Sequence, residues 1–595
     1  MNDVSRHPLP ANDPERPQNL GNPRMGWASD AMAETIRRLG FRYVSLTPGA
    51  SYRGLHDSLV NYLGNRDPQM ILALTEEAAV HIAQGYGKVM DAPMACAVHA
   101  NIGLLHSAMA IYNAWCDRTP MLVLGATGPV DAMRRRPWIE WIHTSKDQGA
   151  LVRNYVKWDD QPASVGAAVE SLLRAARITR TPPFAPVYVC LDQALQESAL
   201  EAEPTLPDVA RYAPAPVPVP SGAAVDAAVA ALKKAKRPLI LPGRVSRSQA
   251  AWDARVRLAE LLDARVITDT LNAAAFPSRH PLHLGGPRAR HSKQQNDAVK
   301  SADAILSLDR IDLAGALNAA WPDRRPAATV ISATIDDRLH NGWTQDQQSL
   351  PAVDIAIDAH PDAAVTALLA GLAGHEGKTD WPAGAVTTPA PVAKESGAIS
   401  MDDLAACFGA AATGKAVSLT RVPFGWPSGA CDFAGPFDYL GRDGGGGVGS
   451  APGIAVGAAL ALRDLNAAGA RRLPVAVIGD GEYVMGLMAL WTAARYRLPL
   501  LVVVADNRAF YNDVEHQERM AVARNRPVEN RWIGMQMDDP PLDLAGLARD
   551  QGLEGVGPVA DVGDLPAALA QGFAAVEAGK AFVIDVVVVP GREDG

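Results

Sequence analysis

Asp480 stands between two glycines, Gly479 and Gly481, at the end of the apolar run Pro474–Ile478. A second run, Leu498–Val504, leads to Asp506-Asn507. Short unbroken apolar runs read as strands buried on both faces of a parallel sheet, and the stretch Val484–Tyr496 between them reads as a helix. Such a unit puts the acid and the amide at the carboxyl ends of neighbouring strands, where open α/β sheets bind ligands. A carboxylate, an amide carbonyl and the Ala509 backbone carbonyl make an oxygen donor set suited to Mg²⁺ held against a diphosphate. Gly479 and Gly481 let backbone N–H groups approach phosphate oxygens. A glycine-flanked aspartate is also an ordinary turn; the two strands and Asn507 favour the site.

A second group of candidates lies earlier in the chain. Glu76 and Glu77 precede an apolar helix expected over Ala78–Val89, and acids are favoured in a first helical turn on electrostatic grounds alone. His99 ends the strand-like run Met94–Val98, with Asn101 and His106 close behind. A histidine at a strand end can orient a carboxylate or move a proton near neutral pH. Asp443 and four glycines, Gly444–Gly447, lead through Val448 to a small-residue helix expected over Pro452–Leu462; the glycine run alone reads as a flexible loop. Tyr511, Asn512 and His516 follow Asn507 in a polar stretch that also reads as surface. Arg134–Arg136 reads as a solvated basic face, with contact to an anionic substrate as its alternative.

The elements that must position these residues follow from the 595-residue length and the pattern. Proline-rich residues 201–222 and the Gly/Pro/Thr stretch 376–396 separate three segments: 25–200, 223–375 and 397–595, after a loose tail over 1–24. Each segment alternates short apolar strands with helical patterns, which predicts three doubly wound parallel-sheet α/β domains. Strands are expected at Tyr43–Leu46, Met94–His99, Met121–Gly125 and Val187–Leu191, then Pro238–Leu241, Arg265–Thr268, Ala304–Leu308 and Thr329–Ile331, and finally Phe582–Val589. Helices are expected over Ser29–Leu39, with Ser29 as N-cap, and over Gly103–Asn113. A formal net charge of −9 argues against a nucleic-acid partner. The five scattered cysteines form no metal or disulfide pattern, and no apolar run is long enough for a membrane span. A cytoplasmic location is expected.

These motifs together resemble the thiamine-diphosphate-dependent decarboxylase/carboligase family, in its benzoylformate-decarboxylase-like and acetolactate-synthase-like branch. The resemblance implies pyrimidine-binding, middle and diphosphate-binding domains, in that order. It implies catalytic roles for Glu76, which would drive tautomerisation of the cofactor's aminopyrimidine, and for His99. It implies that Asp480, Asn507 and the Ala509 carbonyl hold Mg²⁺ and that Gly479 and Gly481 flank the diphosphate. Gly446, Gly447 and Val448 would match the sequence whose apolar side chain wedges the cofactor into a bent form. Ala50 and Ser51 stand where a relative has serine after Pro-Gly, and Tyr511, Asn512 and His516 fall where the substrate pocket is covered. Asp506 replaces the first asparagine of the usual pair, and the stretch Leu308–Ala316 lacks a histidine that the benzoylformate enzyme has.

The implied cofactors are thiamine diphosphate and Mg²⁺. Leu241-Pro242-Gly243-Arg244 lacks the dinucleotide spacing; FAD, which some relatives bind in the middle domain, is possible, with nothing in the sequence to support or exclude it. The implied substrate is a small 2-oxo acid, either decarboxylated or joined to a second carbonyl compound. The implied assembly is a homodimer or homotetramer with active sites at subunit interfaces. A non-catalytic homologue, acting as a binding or regulatory subunit, is the competing reading; loss of Glu76 or Asp480 would have favoured it, and both are present. A flavoprotein without thiamine diphosphate is a third reading.

Overall fold

The computed structural model describes residue 13 and residues 15–339, 350–382 and 388–591. The tail expected over 1–24 and the stretch 376–396 fall partly outside them. Within the described part of that tail, Asp13 and Glu15 reach Arg495, each at 3.2 Å, and Glu15 accepts from the Tyr496 hydroxyl at 2.8 Å.

Three sheets, parallel throughout, form the scaffold. The first contains β1 (Tyr43–Leu46), β2 (Gln69–Leu72), β3 (Met94–Val98), β4 (Met121–Thr127), β5 (Asp159–Asp160) and β6 (Pro186–Asp192), in the order β2-β1-β3-β4-β6-β5. The middle sheet contains β7 (Pro238–Pro242), β8 (Arg265–Val266), β9 (Ala304–Leu308), β10 (Thr329–Thr334) and β11 (Ile355–Asp358), ordered β11-β10-β9-β7-β8. The third contains β12 (Val417–Arg421), β13 (Leu473–Gly479), β14 (Leu500–Asp506), β15 (Glu554–Val559) and β16 (Ala581–Val587), ordered β12-β13-β14-β16-β15. The three doubly wound domains are therefore present.

Two local expectations differ from the structure. The first helix, Ala28–Arg38, begins after Trp27, and Asp30 caps it by accepting from the Gly26 and Trp27 N–H groups at 2.9 Å. Ser29 is buried inside that helix and accepts from the Ser58 hydroxyl. The helix expected over Val484–Tyr496 is instead Asp480–Gly486, a 3₁₀ turn over Leu487–Ala489, and Leu490–Arg495. The break falls at Gly486, where a Cβ would collide with the Gly449 carbonyl.

Side-chain alternation sends the two faces of each sheet into different cores. Met94, Cys96 and Val98 of β3 enter one core, Ala95 and Ala97 another. The first of these cores also contains Ala476, Ile478, Val502 and Val504 of the third sheet. The first and third domains thus share one apolar interior. Its centre is the crossing of helices Glu76–Met90 and Ser450–Ala467.

Glycines set how closely those helices approach. A Cβ on Gly85 would run into the Ile454 carbonyl, and one on Gly457 into the Ile82 carbonyl. Gly85→Ala must therefore push two backbones apart in a packed core. It is expected to cost roughly 1–3 kcal/mol, the scale of overpacking, read as a lowered denaturation midpoint; an unchanged midpoint would contradict the close crossing.

The same crossing buries His81, where burial pushes the imidazole down to about 3. The unfolded chain takes up a proton below about 6.5 and the folded chain does not, so stability falls as pH drops through that window. The largest slope from this group is about 1.4 kcal/mol per pH unit. His81→Gln is expected to flatten the midpoint's decline between pH 6.5 and 4, and an unaltered decline would exclude His81 as its source.

Candidate active site

β13 and β14 are adjacent, with Gly479 level with Ala505. Asp480 is the first residue of the helix after β13, and Asn507 directly follows β14. The expected meeting of acid and amide at neighbouring strand ends is what the structure contains. One N–H ties them: Ala509 donates to Asp480 Oδ2 at 3.1 Å and to Asn507 Oδ1 at 3.0 Å. Asp480 Oδ1 accepts from Gly481 N–H at 2.9 Å. The Ala509 carbonyl accepts from Tyr511 N–H at 2.9 Å. Burial, then the neighbouring Asp506 carboxyl, pushes the Asp480 carboxyl up to about 7. A bound cation would relieve both effects.

These residues wall a cavity of about 230 Å³ that also includes Gly479, Gly481, Gly446 and Val448. Nothing lies within 4 Å of a Cβ position on Gly479, so its backbone faces open space, whereas one on Gly481 would press on the Phe510 ring at 2.9 Å. The glycine run before Val448 is no loose loop. Cβ atoms on Gly444, Gly445 and Gly447 would strike Cys116, Asn113 and Met109 of helix Ala100–Cys116. The run is pressed flat against that helix, which leaves Val448 exposed at the cavity. Tyr511 and Asn512 also line the cavity; His516 is exposed and lines neither this cavity nor its neighbour.

Glu76 begins helix Glu76–Met90, whose N-cap Thr75 accepts from Ala78 N–H at 3.1 Å. Glu76 Oε2 lies 2.9 Å from His106 Nδ1, and a Cβ on Gly103 would crowd its Cγ and Oε1 at 3.1 Å. The Glu77 carboxyl is raised by burial, with His106 opposing the rise. His99 precedes the next helix at its N-cap position, without a capping bond from its own side chain. Ser51 Oγ accepts from Ala100 N–H at 3.0 Å and lies 2.9 Å from His99 Nδ1. The Ser51 N–H, which can only donate, also points at Nδ1 at 3.5 Å; with Nδ1 as its acceptor, the ring proton of neutral His99 sits on Nε2. Burial and then the His143 ring, whose centroid is 4.8 Å away, hold His99 below its ordinary value, so it is neutral near pH 7. Ala50 is exposed at the start of the same turn.

Other candidates have structural partners. Asn101 donates to the Ile142 carbonyl. Arg134 and Arg135 donate to the Ala194 and Pro129 carbonyls, and Arg136 pairs with Glu140.

Three family models each match part of one domain: the N-terminal thiamine pyrophosphate binding domain model over residues 26–151, the central domain model over 225–352 and the C-terminal thiamine pyrophosphate binding domain model over 425–586. The chain belongs to the thiamine pyrophosphate enzyme family. Benzoylformate decarboxylase of Pseudomonas aeruginosa is 25% identical over 88% of this chain and 92% of its own length. The large subunit of acetolactate synthase isozyme 1 of Escherichia coli is 24% identical over 81% of this chain and 82% of its own. The crystal structure of benzoylformate decarboxylase from Polynucleobacter necessarius shares the fold, with a TM-score of 0.78 at 19% identity over 96% of this chain and 100% of that one. The chain is accordingly an enzyme of the decarboxylase/carboligase type.

Sequence reasoning missed several residues packed around these candidates. Arg421, the last residue of β12, pairs with Asp443 and lies 3.4 Å from Glu482. Glu482 in turn accepts from Ala451 N–H at 2.8 Å and so fixes the start of helix Ser450–Ala467 beside Val448. Tyr52, whose hydroxyl is raised by burial and then by Glu76, and His143 were missed as well. Glu482, two residues after Asp480, carried the one local signal: an acid in the first turn of a helix at a ligand-binding strand end.

Proposed function

We propose that the enzyme uses thiamine diphosphate and Mg²⁺ to break, or to break and re-form, a carbon–carbon bond next to the carbonyl of a 2-oxo acid. The observation that carries this reading is the Asp480–Ala509–Asn507 junction at the floor of a glycine-walled cavity. No cluster of three or more acidic, histidine or cysteine side chains among the described residues could cage a metal alone. One carboxylate and one amide fit Mg²⁺ that shares its remaining positions with a diphosphate and water.

Bound thiamine diphosphate supplies a nucleophilic carbon and an electron sink for the departing carboxylate. Glu76 would hold and exchange a proton at the cofactor's pyrimidine. The neutral His99, with its proton on Nε2, would donate to or receive from the reacting substrate. Gly446, Gly447 and Val448 would shape the cofactor's seat, with Tyr511 and Asn512 at its rim.

No residue of the first domain lines the Asp480 cavity, so Glu76 would complete the site of a second copy. Exposed Ile102, Leu105 and Met109 on the helix beside Glu76, and Val448, Met485 and Met488 beside the cavity, supply apolar faces for that pairing. A homodimer or homotetramer is therefore part of the proposal. The five free thiols suit a cytoplasmic setting, and no helix among the described residues is long and apolar enough to cross a membrane.

The proposal needs no flavin. The cavity of about 420 Å³ between the first and middle domains is walled by ion pairs, Arg118 and Arg244 with Asp336 at 2.6 and 2.8 Å and Lys88 with Asp117 at 2.7 Å.

The test is a panel of 2-oxo acids, with and without aldehyde acceptors, followed by product analysis in the presence and absence of Mg²⁺ and thiamine diphosphate. Carbon dioxide release that requires both cofactors supports the reading; turnover without thiamine diphosphate overturns it.

A further inference from the structure

A second cavity, of about 290 Å³, adjoins the one that holds Asp480. The two share Pro423, Phe424, Gly425, Arg442, Asn512 and Glu515, so a molecule seated in one can extend into the other. The second cavity lies between the middle and third domains. Its walls carry four arginines, Arg288, Arg290, Arg442 and Arg519, against one acid, Glu515. Glu515 is already turned toward Arg519 at 3.6 Å, and the Arg442 guanidinium lies over the Phe424 ring, 3.3 Å from its centre.

Two donors on these walls lack acceptors. Arg288 Nε is buried and meets none, and neither does Nε1 of Trp426, a side chain nine-tenths buried, among the described residues. Arginine and tryptophan side chains only donate hydrogen bonds. A buried donor without an acceptor is costly, and a surplus of cations in a half-enclosed cavity attracts anions. The group that satisfies both features accepts hydrogen bonds and carries negative charge.

We propose that this cavity is the enzyme's subsite for a second acidic group of the substrate, a carboxylate, sulfonate or phosphate carried at the far end from the 2-oxo acid function. The proposal rests on the adjoining cavity being the cofactor site. Continuity of the two cavities favours a group tethered to the reacting carbonyl over a free ion. The volume also suits a short anionic arm. A neutral aromatic tail would pack on Phe424 and Trp426 but would leave Arg288 Nε and Trp426 Nε1 unsatisfied.

The experiment compares matched substrates that differ in the distal group: 2-oxoglutarate with 2-oxopentanoate, and 4-carboxybenzoylformate with benzoylformate. The dianionic member is expected to be favoured at least tenfold in kcat/KM, chiefly through KM, and the preference is expected to shrink as salt is raised. Arg288→Met and Arg290→Met should bring the ratio toward one. Should Arg288→Met fail to fold, the wild-type ratio and the exposed Arg290 decide. A readout without turnover is calorimetric titration of cofactor-free protein with glutarate and, separately, inorganic phosphate; glutarate binding that both substitutions weaken supports the subsite.

A ratio near one in wild type overturns the proposal. So does binding of phosphate alone with no preference among substrates, which would make the cavity a free-anion site. Thiamine diphosphate affinity is measured in the same samples. Its absence in wild type would sink the cofactor reading, whereas normal cofactor binding with a ratio near one sinks the subsite only.

Discussion

Glu76→Gln is expected to bind thiamine diphosphate as wild type does and to turn over about 10²–10⁴ times more slowly, the range for loss of a positioned acid–base group. The amide keeps the size of the carboxylate. Its oxygen can still accept from His106 Nδ1, now 2.9 Å from Glu76 Oε2, and it still fits the space that Gly103 leaves open. The charge and the exchangeable proton are lost. A structural role for Glu76 would appear as a lower denaturation midpoint with little change in kcat; the catalytic role appears as the reverse. A second readout needs no substrate. The Glu76 charge raises the pKa of His99 and of Tyr52, so removing it should lower the His99 titration followed by NMR. Near-normal turnover, or an unmoved His99, would remove Glu76 from the site.

The positions of failure and success in the sequence reading have a common physical cause. Central strands such as β3, β4, β9, β13 and β14 are covered on both faces and flanked on both sides, so nearly every residue is apolar and the run is visible. The strands that periodicity missed, β2, β5, β11, β12 and β15, all lie at sheet edges. Edge strands are short or partly exposed and carry mixed residues, such as Asp159-Asp160 or Glu554–Val559. The same division holds in the site. Asp480 and Asn507 were legible because chain-local rules place strand ends and glycine turns. Ser51 on His99, His143 against His99, and Arg421 with Asp443 and Glu482 are joined only by the approach of separate elements. The glycine run before Val448, taken alone, reads as a flexible loop for a related reason. Flexibility is a property of glycine in solution, whereas here the missing Cβ atoms make room for helix Ala100–Cys116.

Asp480→Ala is expected to abolish Mg²⁺-dependent binding of thiamine diphosphate while leaving the cofactor-free protein folded. The substitution removes the carboxylate that accepts from Ala509 N–H, and the diphosphate then loses its cation. The local backbone keeps a tie, because Ala509 N–H still donates to Asn507 Oδ1 at 3.0 Å. Loss of the carboxyl also ends its opposition to Asp506, which together with burial holds Asp480 up to about 7. Little stability is therefore expected to be lost without cofactor. In wild type, cofactor at a hundredfold excess over Kd should stabilise the fold by about 2.7 kcal/mol, seen as a raised midpoint that a chelator reverses. In Asp480→Ala that increment should vanish, and calorimetry should detect no Mg²⁺-dependent heat. Asp506→Asn is the control, since its amide oxygen can still accept from Arg508 N–H as Asp506 Oδ1 does at 2.9 Å, and it should retain cofactor binding. Unchanged affinity in Asp480→Ala would move the cation elsewhere. Equal loss in Asp506→Asn would show that the backbone beyond β14, rather than the Asp480 carboxylate, controls the site.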